Sequence, residues 1–198
     1  EVVAVVELVK NAHDADATLV EITFNGVTEA GGSIIVEDNG HGMDRDALLG
    51  RWMEPAGEWK RRSGGRSPGG RRYLGEKGVG RFAADKLAAM LEITSTCAGS
   101  RDAVRATVDW DRFENDERML SDVRCQWSLR AGVPPGDQGT TLTLSRLRTA
   151  WNERMFRRLT TRLARLVPPL SKVSDFRVLV ESDEFPDYAG VLETAYLR

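Results

Sequence analysis

The N-terminal residues carry a helical pattern with a wide apolar surface. At about 100° per residue, the valine, leucine and alanine positions of residues 1–15 cover about 200° of the helix circumference. Glu7, Asn11 and Asp14 follow the spacing i, i+4, i+7 and fall in one narrow polar stripe. Because a surface helix normally has a wider polar face, the stripe is predicted either to meet a thin strip of solvent or to line a cavity.

Period-two alternation of apolar and polar residues predicts several strands. Residues 18–25 alternate with Val20, Ile22 and Phe24 on one side, and a Gly-Gly pair turns the chain into a second strand at 33–37. Later strands are predicted at 91–96, 103–110, 123–129, 140–145 and 176–180.

Helical spacing returns in three places after the first helix, at residues 44–51, 81–90 and 151–166. Runs of adjacent strands combined with these helices indicate an α+β fold. We expect a two-layer sandwich whose mixed, mostly antiparallel sheet is covered by helices on one face. Alternating βαβ units do not fit this order.

Composition narrows the class of protein. The 198 residues include 28 basic and 30 acidic side chains, and 41% of the chain is hydrophobic, which argues against disorder. No apolar run approaches the roughly 18–20 residues that span a bilayer, so no membrane association is expected. Two cysteines suit a reduced, cytoplasmic interior.

The basic residues are concentrated, although the formal net charge is only −2. The helix at 151–166 has an arginine-rich face that offers contacts to phosphates, formed by Arg154, Arg158, Arg162 and Arg165. Solvation, or packing against a following domain, is the simpler explanation of this face. Nucleic-acid binding is therefore not indicated.

The first motif with a chemical interpretation is the polar stripe of the N-terminal helix. The Asn11 amide oxygen is a ligand that suits magnesium, which commonly takes only one or two ligands from protein. Glu7 is placed to orient or deprotonate an attacking water. Taken alone, a solvated stripe explains these residues as well.

The second motif, residues 38–43, follows a buried strand. The Asp38 carboxylate can accept a hydrogen bond from an exocyclic amine, while Gly40 and Gly42 permit close approach of a flat ligand and Met43 offers a soft apolar surface. A glycine-rich turn with an Asx cap is the structural alternative. His41, like His13, is interpreted as structural.

The third motif, residues 75–82, has the glycine spacing G-x-x-G-x-G and leads into a helix. Such a segment exposes backbone N–H groups to an anion, but it matches neither a Walker A loop nor a Rossmann fingerprint. It ends a glycine- and arginine-rich segment at 54–80, and a loop of that length in a compact domain is usually functional or disordered. A fourth motif, at 139–144, begins a strand with Gly139 and Thr140.

Together the four motifs resemble the nucleotide-binding boxes of the GHKL superfamily of gyrase B subunits, ninety-kilodalton heat-shock chaperones, histidine kinases and MutL-type ATPases. The resemblance runs from Glu1 to Ser145. "ELVKNAHDADAT" is similar to the MutL and chaperone version, and "GEKGVGRFAADKL" to the glycine box of the chaperone branch; "DNGHGM" and "GTTLTL" are close to the family pattern. The resemblance implies a Bergerat-type sandwich.

The resemblance also implies roles for individual residues. Glu7 would be the general base and Asn11 the ligand of Mg²⁺ bound with ATP. Asp38 would accept from the adenine amino group, and Thr140 would support the base through water. The other nucleotide-binding residues would be Asp14, Gly40, Gly42, Met43, Gly75, Lys77, Gly78, Val79, Gly80, Arg81 and Phe82. Residues 54–80 would form the ATP lid.

The function implied is an ATP-hydrolysing conformational switch, with residues 1–147 as the ATP-binding domain and 148–198 as an extension toward a following domain. We expect the chain to be part of a longer protein that self-associates or docks with its other domains. This piece alone is expected to hydrolyse ATP slowly or not at all. The alternatives are a histidine kinase catalytic domain, whose glycine boxes read closer to G-x-G-L-G-L, and an ATP-sensing module without turnover.

Overall fold

An eight-stranded sheet organises the fold in the computed structural model, which describes residues 1–52, 65–75, 80–112, 126–134, 136–166 and 176–192. The helices are α1 (Val2–Asp14), α2 (Arg45–Ala47), α3 (Gly80–Leu87) and α4 (Glu153–Leu163). The strands are β1 (Leu19–Asn25), β2 (Ser33–Asp38), β3 (Ala88–Thr96), β4 (Asp102–Asp109), β5 (Gln126–Ala131), β6 (Gly139–Leu147), β7 (Arg177–Ser182) and β8 (Gly190–Val191).

The strand order is β5-β4-β3-β6-β2-β1-β7-β8. Neighbouring strands pair antiparallel except β1 and β7, which are parallel. The predicted α+β class with a mixed, mostly antiparallel sheet is therefore confirmed. In the described part of the chain, no helix has the length and apolar character needed to cross a membrane.

The two faces of the sheet differ in polarity, as strand alternation requires. On one face, apolar side chains stand opposite one another across adjacent strands and join the core with the apolar positions of α1, as in the row Ile22, Val36, Leu142 and Ile93. On the other face, one residue along, the row is Glu21, Glu37, Thr141 and Thr94. The helices cover the apolar face, as predicted.

Helix α4 joins the same core through an aromatic cluster. The Phe156 ring lies 4.6 Å from that of Phe24 and 5.6 Å from that of Trp151. The Asn152 side chain caps the helix by accepting the Met155 N–H at 3.1 Å. Since β7 also pairs with β1, this part of the predicted extension completes the sheet; a following domain stays a prediction.

Two of the predicted helices have different bounds in the structure, and in the first of them tertiary pairing overrides local propensity. The helix predicted at 81–90 ends at Leu87, because Ala88 and Met90 pair with Leu147 and Ser145 of β6 and belong to β3. The helix predicted at 44–51 is a three-residue α2 followed by a π-helical turn, Leu48–Trp52.

Candidate functional site

Three polar residues interrupt the apolar face of the sheet at one end. The strand register places Asp38 opposite Thr140, and Thr140 opposite Ser95, so the three lie in one row across β2, β6 and β3. Ser95 is 1% exposed and Thr140 is 8% exposed. Ser95 was not predicted, although it continues the alternation of Leu91 and Ile93 with a polar residue where an apolar one is expected.

A hydrogen-bond network links this row to the loop after β2. The Ser95 Oγ lies 2.8 Å from the Thr140 Oγ1 and 3.1 Å from the Gly139 carbonyl oxygen. It also accepts the backbone N–H of Met43 at 2.8 Å. The predicted site residues Met43 and Thr140 are thus joined through one buried hydroxyl group.

Asp38 is half-buried at the end of β2. Its Oδ1 accepts the Gly40 N–H at 2.9 Å. Burial raises the pKa of the Asp38 carboxyl from 3.8 to about 6, although the N–H groups of Gly40 and Thr140 and the nearby His41 favour the ionised form. A raised pKa at a hydrogen-bonding carboxyl is typical of functional sites.

The glycines of the loop after β2 are required by contacts within the protein. A Cβ at Gly40 would lie 2.6 Å from the Ala15 carbonyl oxygen. A Cβ at Gly42, whose φ is +65°, would lie 1.9 Å from the Thr96 carbonyl oxygen. This loop is therefore packed between the end of α1 and the end of β3, and contact of either glycine with a ligand stays a prediction.

Gly42→Ala is expected to lower the free energy of unfolding by at least about 2 kcal/mol, because it combines a left-handed φ with a clash against backbone. Urea denaturation measures the loss. Gly50→Ala is the matched control, since a Cβ there meets nothing within 4 Å, and it should leave stability equal or slightly higher. Equal midpoints for the two variants would contradict this packing.

Side chains near the loop also hold the start of β1. The Asn39 Oδ1 accepts the N–H groups of Thr18 and Leu19 at 2.8 and 2.9 Å. The His41 Nδ1 lies 2.9 Å from the Gly42 carbonyl oxygen, while the His13 ring packs edge-on against Phe176 at 5.1 Å. These contacts agree with the structural interpretation of both histidines; Asn39 was missed as a structural residue.

The two ends of the polar stripe on α1 make different contacts. Glu7 and Asn11 are half-buried, and the Glu7 Oε1 forms an ion pair with the Lys10 Nζ at 2.6 Å. Asp14 is buried, and its carboxylate accepts the backbone N–H groups of Leu74 and Gly75 at 2.8 and 3.1 Å. The C-terminal end of the stripe therefore fixes the chain that enters the glycine motif.

Residues 65–75, within the predicted lid, dock on the turn after α1. The Asp16 carboxylate accepts the Ser67 hydroxyl at 2.5 Å and the Gly69 N–H at 2.7 Å. The Arg71 guanidinium donates to the Ala17 carbonyl at 2.6 Å. Sequence reasoning missed these contacts, which join segments more than fifty residues apart. The rest of the predicted lid, 54–64 and 76–79, lies outside the described residues.

The structure brings together part of the predicted site. Asp38, Gly40, Gly42, Met43 and Thr140 meet at the end of the sheet, while Asp14 contacts Gly75, the first residue of the glycine motif. Lys77, Gly78 and Val79 lie outside the described residues. Gly80 begins α3, which packs against α1, and of Arg81 and Phe82 only the backbone within α3 is described. The arginines of the predicted basic face, Arg154, Arg158 and Arg162 of α4 and Arg165 in the turn after it, are exposed.

Comparison with known proteins identifies the family. Residues 2–131, more than half of the chain, match the model of the histidine kinase-, DNA gyrase B- and HSP90-like ATPase family. The chain belongs to this family, as the sequence motifs predicted. No curated protein matches it.

Among solved structures, the chain is similar to the Aquifex aeolicus MutL ATPase domain complexed with ADP, with a TM-score of 0.55 and 15% identity. The match covers 92% of this chain and 60% of that chain. At this identity the likeness establishes the fold, and it agrees with the Bergerat-type sandwich.

Proposed function

We propose that this domain binds ATP with Mg²⁺ and hydrolyses it slowly, as a conformational switch within a larger protein. The observation that carries the proposal is the polar row of Asp38, Thr140 and Ser95, which follows the apolar row of Val36, Leu142 and Ile93 on the same face of the same three strands. Replacing hydrogen-bonded buried groups by apolar ones is often neutral or stabilising, so folding alone does not require this row and a ligand explains it better.

Asp38 is suited to the adenine ring. Its ionised carboxylate is an acceptor only, and it matches the exocyclic amino group of a 6-aminopurine rather than the carbonyl of a 6-oxopurine. Thr140, adjacent in the row, adds a hydroxyl that can donate or accept. Met43 is partly buried against the core and offers polarizable apolar surface for a flat ring.

The phosphates are proposed to extend toward α1 and α3. Asn11 lies on the half-buried stripe and supplies an amide oxygen, a ligand type that Mg²⁺ prefers. When bound there, Mg²⁺ would neutralise phosphate charge. Glu7, one turn before Asn11, would accept a proton from the attacking water. The backbone N–H groups at the start of α3 would face the phosphates.

The switch itself is proposed to involve the docked part of the lid. Asp14 and Asp16 hold residues 65–75 against the end of the same helix that carries Glu7 and Asn11. A phosphate bound at the glycine motif would therefore act on a segment that is hydrogen-bonded to the end of α1. Movement of that segment would favour self-association or docking with other domains.

The test is calorimetric titration with a non-hydrolysable ATP analogue, with and without Mg²⁺. We expect saturable binding that Mg²⁺ tightens, and an Asn11→Ala variant that loses about tenfold in affinity only when Mg²⁺ is present. Asn25→Ala, at the exposed end of β1, is the control and should bind like the wild type. A folded wild-type sample that binds no analogue would overturn the proposal.

A further inference from the structure

We propose that Ser95 is a positioning residue that sets the purine selectivity of the site, by orienting the hydroxyl of Thr140. The inference rests on the proposed function, because it assumes that the base lies against the polar row. It assigns to β3 a role that the four sequence motifs do not contain.

The Ser95 Oγ has three polar partners within hydrogen-bond distance. It has one proton and two lone pairs. The Met43 N–H occupies one lone pair at 2.8 Å. The proton has two acceptors within reach, the Gly139 carbonyl oxygen at 3.1 Å and the Thr140 Oγ1 at 2.8 Å. Because Ser95 is 1% exposed, water cannot replace these partners freely.

The position of this proton decides what Thr140 presents to a ligand. When Ser95 donates to Gly139, the Thr140 hydroxyl donates to Ser95 and its oxygen offers only lone pairs. When Ser95 donates to Thr140 instead, the Thr140 proton is released to donate. Without the Ser95 hydroxyl, no buried group donates to the Thr140 oxygen, and the Thr140 hydroxyl can rotate to suit a different base.

Selectivity follows from the edges of the purines. A 6-aminopurine has a donor at position 6 and an acceptor at N1, whereas a 6-oxopurine has the reverse. Asp38 accepts from the 6-amino group. In the arrangement in which Ser95 donates to Thr140, the Thr140 proton donates to the neighbouring acceptor N1, directly or through water, and this is the arrangement that we assign to the site with bound ATP. A freely rotating Thr140 hydroxyl would reduce the discrimination that the pair provides.

The experiment compares the dissociation constants of ATP and ITP analogues, which differ only at the purine edge, for variants at β3. Ser95→Ala should weaken ATP binding about tenfold and ITP binding less than about twofold, so that selectivity falls at least about fivefold. Ser95→Thr, which keeps the hydroxyl, should restore the ratio. The control is Thr94→Val, which removes a hydroxyl on the opposite face of the same strand and should leave the ratio unchanged.

Equal weakening of both nucleotides by Ser95→Ala would show a purely structural role and overturn the proposal, as would the same change of ratio in Thr94→Val. If Ser95→Ala does not fold, Ser95→Cys replaces it, because a thiol keeps the size but is a weak hydrogen-bonding group; an unchanged ratio in that folded variant overturns the proposal too. A folded wild type that binds neither analogue would instead refute the proposed function itself.

Discussion

Replacement of Glu7 by glutamine is expected to lower ATP turnover of the complete protein by about 100-fold or more, while ATP affinity changes by less than about threefold. General-base catalysis contributes about 10²–10⁴ to rate, and the amide of glutamine cannot take up a proton from water. Because glutamine keeps the size and polarity of the side chain, the half-buried position on α1 should tolerate it. Steady-state phosphate release and analogue titration measure the two quantities.

Lys10→Met is the matched control for this prediction. It removes the ion-pair partner of Glu7 but leaves the carboxylate, so turnover should stay within several-fold of the wild type. An i,i+3 pair that is partly exposed contributes only about 0.5 kcal/mol or less to stability, and both variants should therefore fold. Turnover that survives Glu7→Gln would show that another group is the base, and turnover absent from the wild type would favour an ATP-sensing module.

The fold was largely predictable because its strands alternate and its first helix has a narrow polar stripe. Those signals depend on local periodicity, and the strands and the first helix of the structure confirm the elements that they predicted. The prediction was wrong where non-local pairing decides the outcome: Ala88 and Met90 read as helical residues, yet they extend β3 beside β6. No local signal in an alanine-rich segment reports a partner more than fifty residues away.

The candidate site shows the same division between local and non-local information. Asp38 and Thr140 stand in recognisable motifs, but their common row depends on the register of β2 and β6. Ser95 lies in no motif, and only the three-dimensional register reveals that a buried serine stands opposite Thr140. The docking of residues 65–75 by Asp16 was equally hidden, since aspartate in a turn is unremarkable by itself.

Asp38→Asn is expected to weaken ATP binding by about 100-fold or more, without loss of stability. The variant replaces an acceptor for the adenine amino group by an amide, and charged hydrogen bonds in buried sites are among the strongest. Calorimetry measures the affinity, and urea denaturation at pH 7.5 measures the free energy of unfolding. Measuring both quantities distinguishes loss of a ligand contact from loss of the fold. Gly42→Ala cannot make this distinction, because its clash is with the protein backbone.

The raised pKa of Asp38 predicts how the stability of the protein changes with pH and on replacement of Asp38 by asparagine. In the folded protein its pKa is about 6, above the ordinary value of 3.8, so the ionised carboxylate destabilises the fold above pH 6. Between about pH 6 and 4 the native state binds a proton that the unfolded chain does not, and stability from this group rises as pH falls. Asp38→Asn should therefore be as stable as the wild type or more stable at pH 7.5, by at most about 3 kcal/mol.

The same titration predicts how ATP affinity depends on pH. Wild-type affinity should fall below about pH 6, because protonation neutralises the acceptor that the adenine amino group needs, while residual binding by Asp38→Asn should show only the dependence that titration of the ATP phosphates imposes on both proteins. The gap in stability between the two proteins should also close as the pH approaches 4. Over this pH interval, protonation of Asp38 would lower the affinity for ATP and raise the stability of the fold. Opposite slopes of affinity and stability against pH would therefore show that Asp38 serves the ligand although its charge destabilises the fold. An Asp38→Asn variant that binds ATP as tightly as the wild type would contradict the proposed contact between Asp38 and adenine.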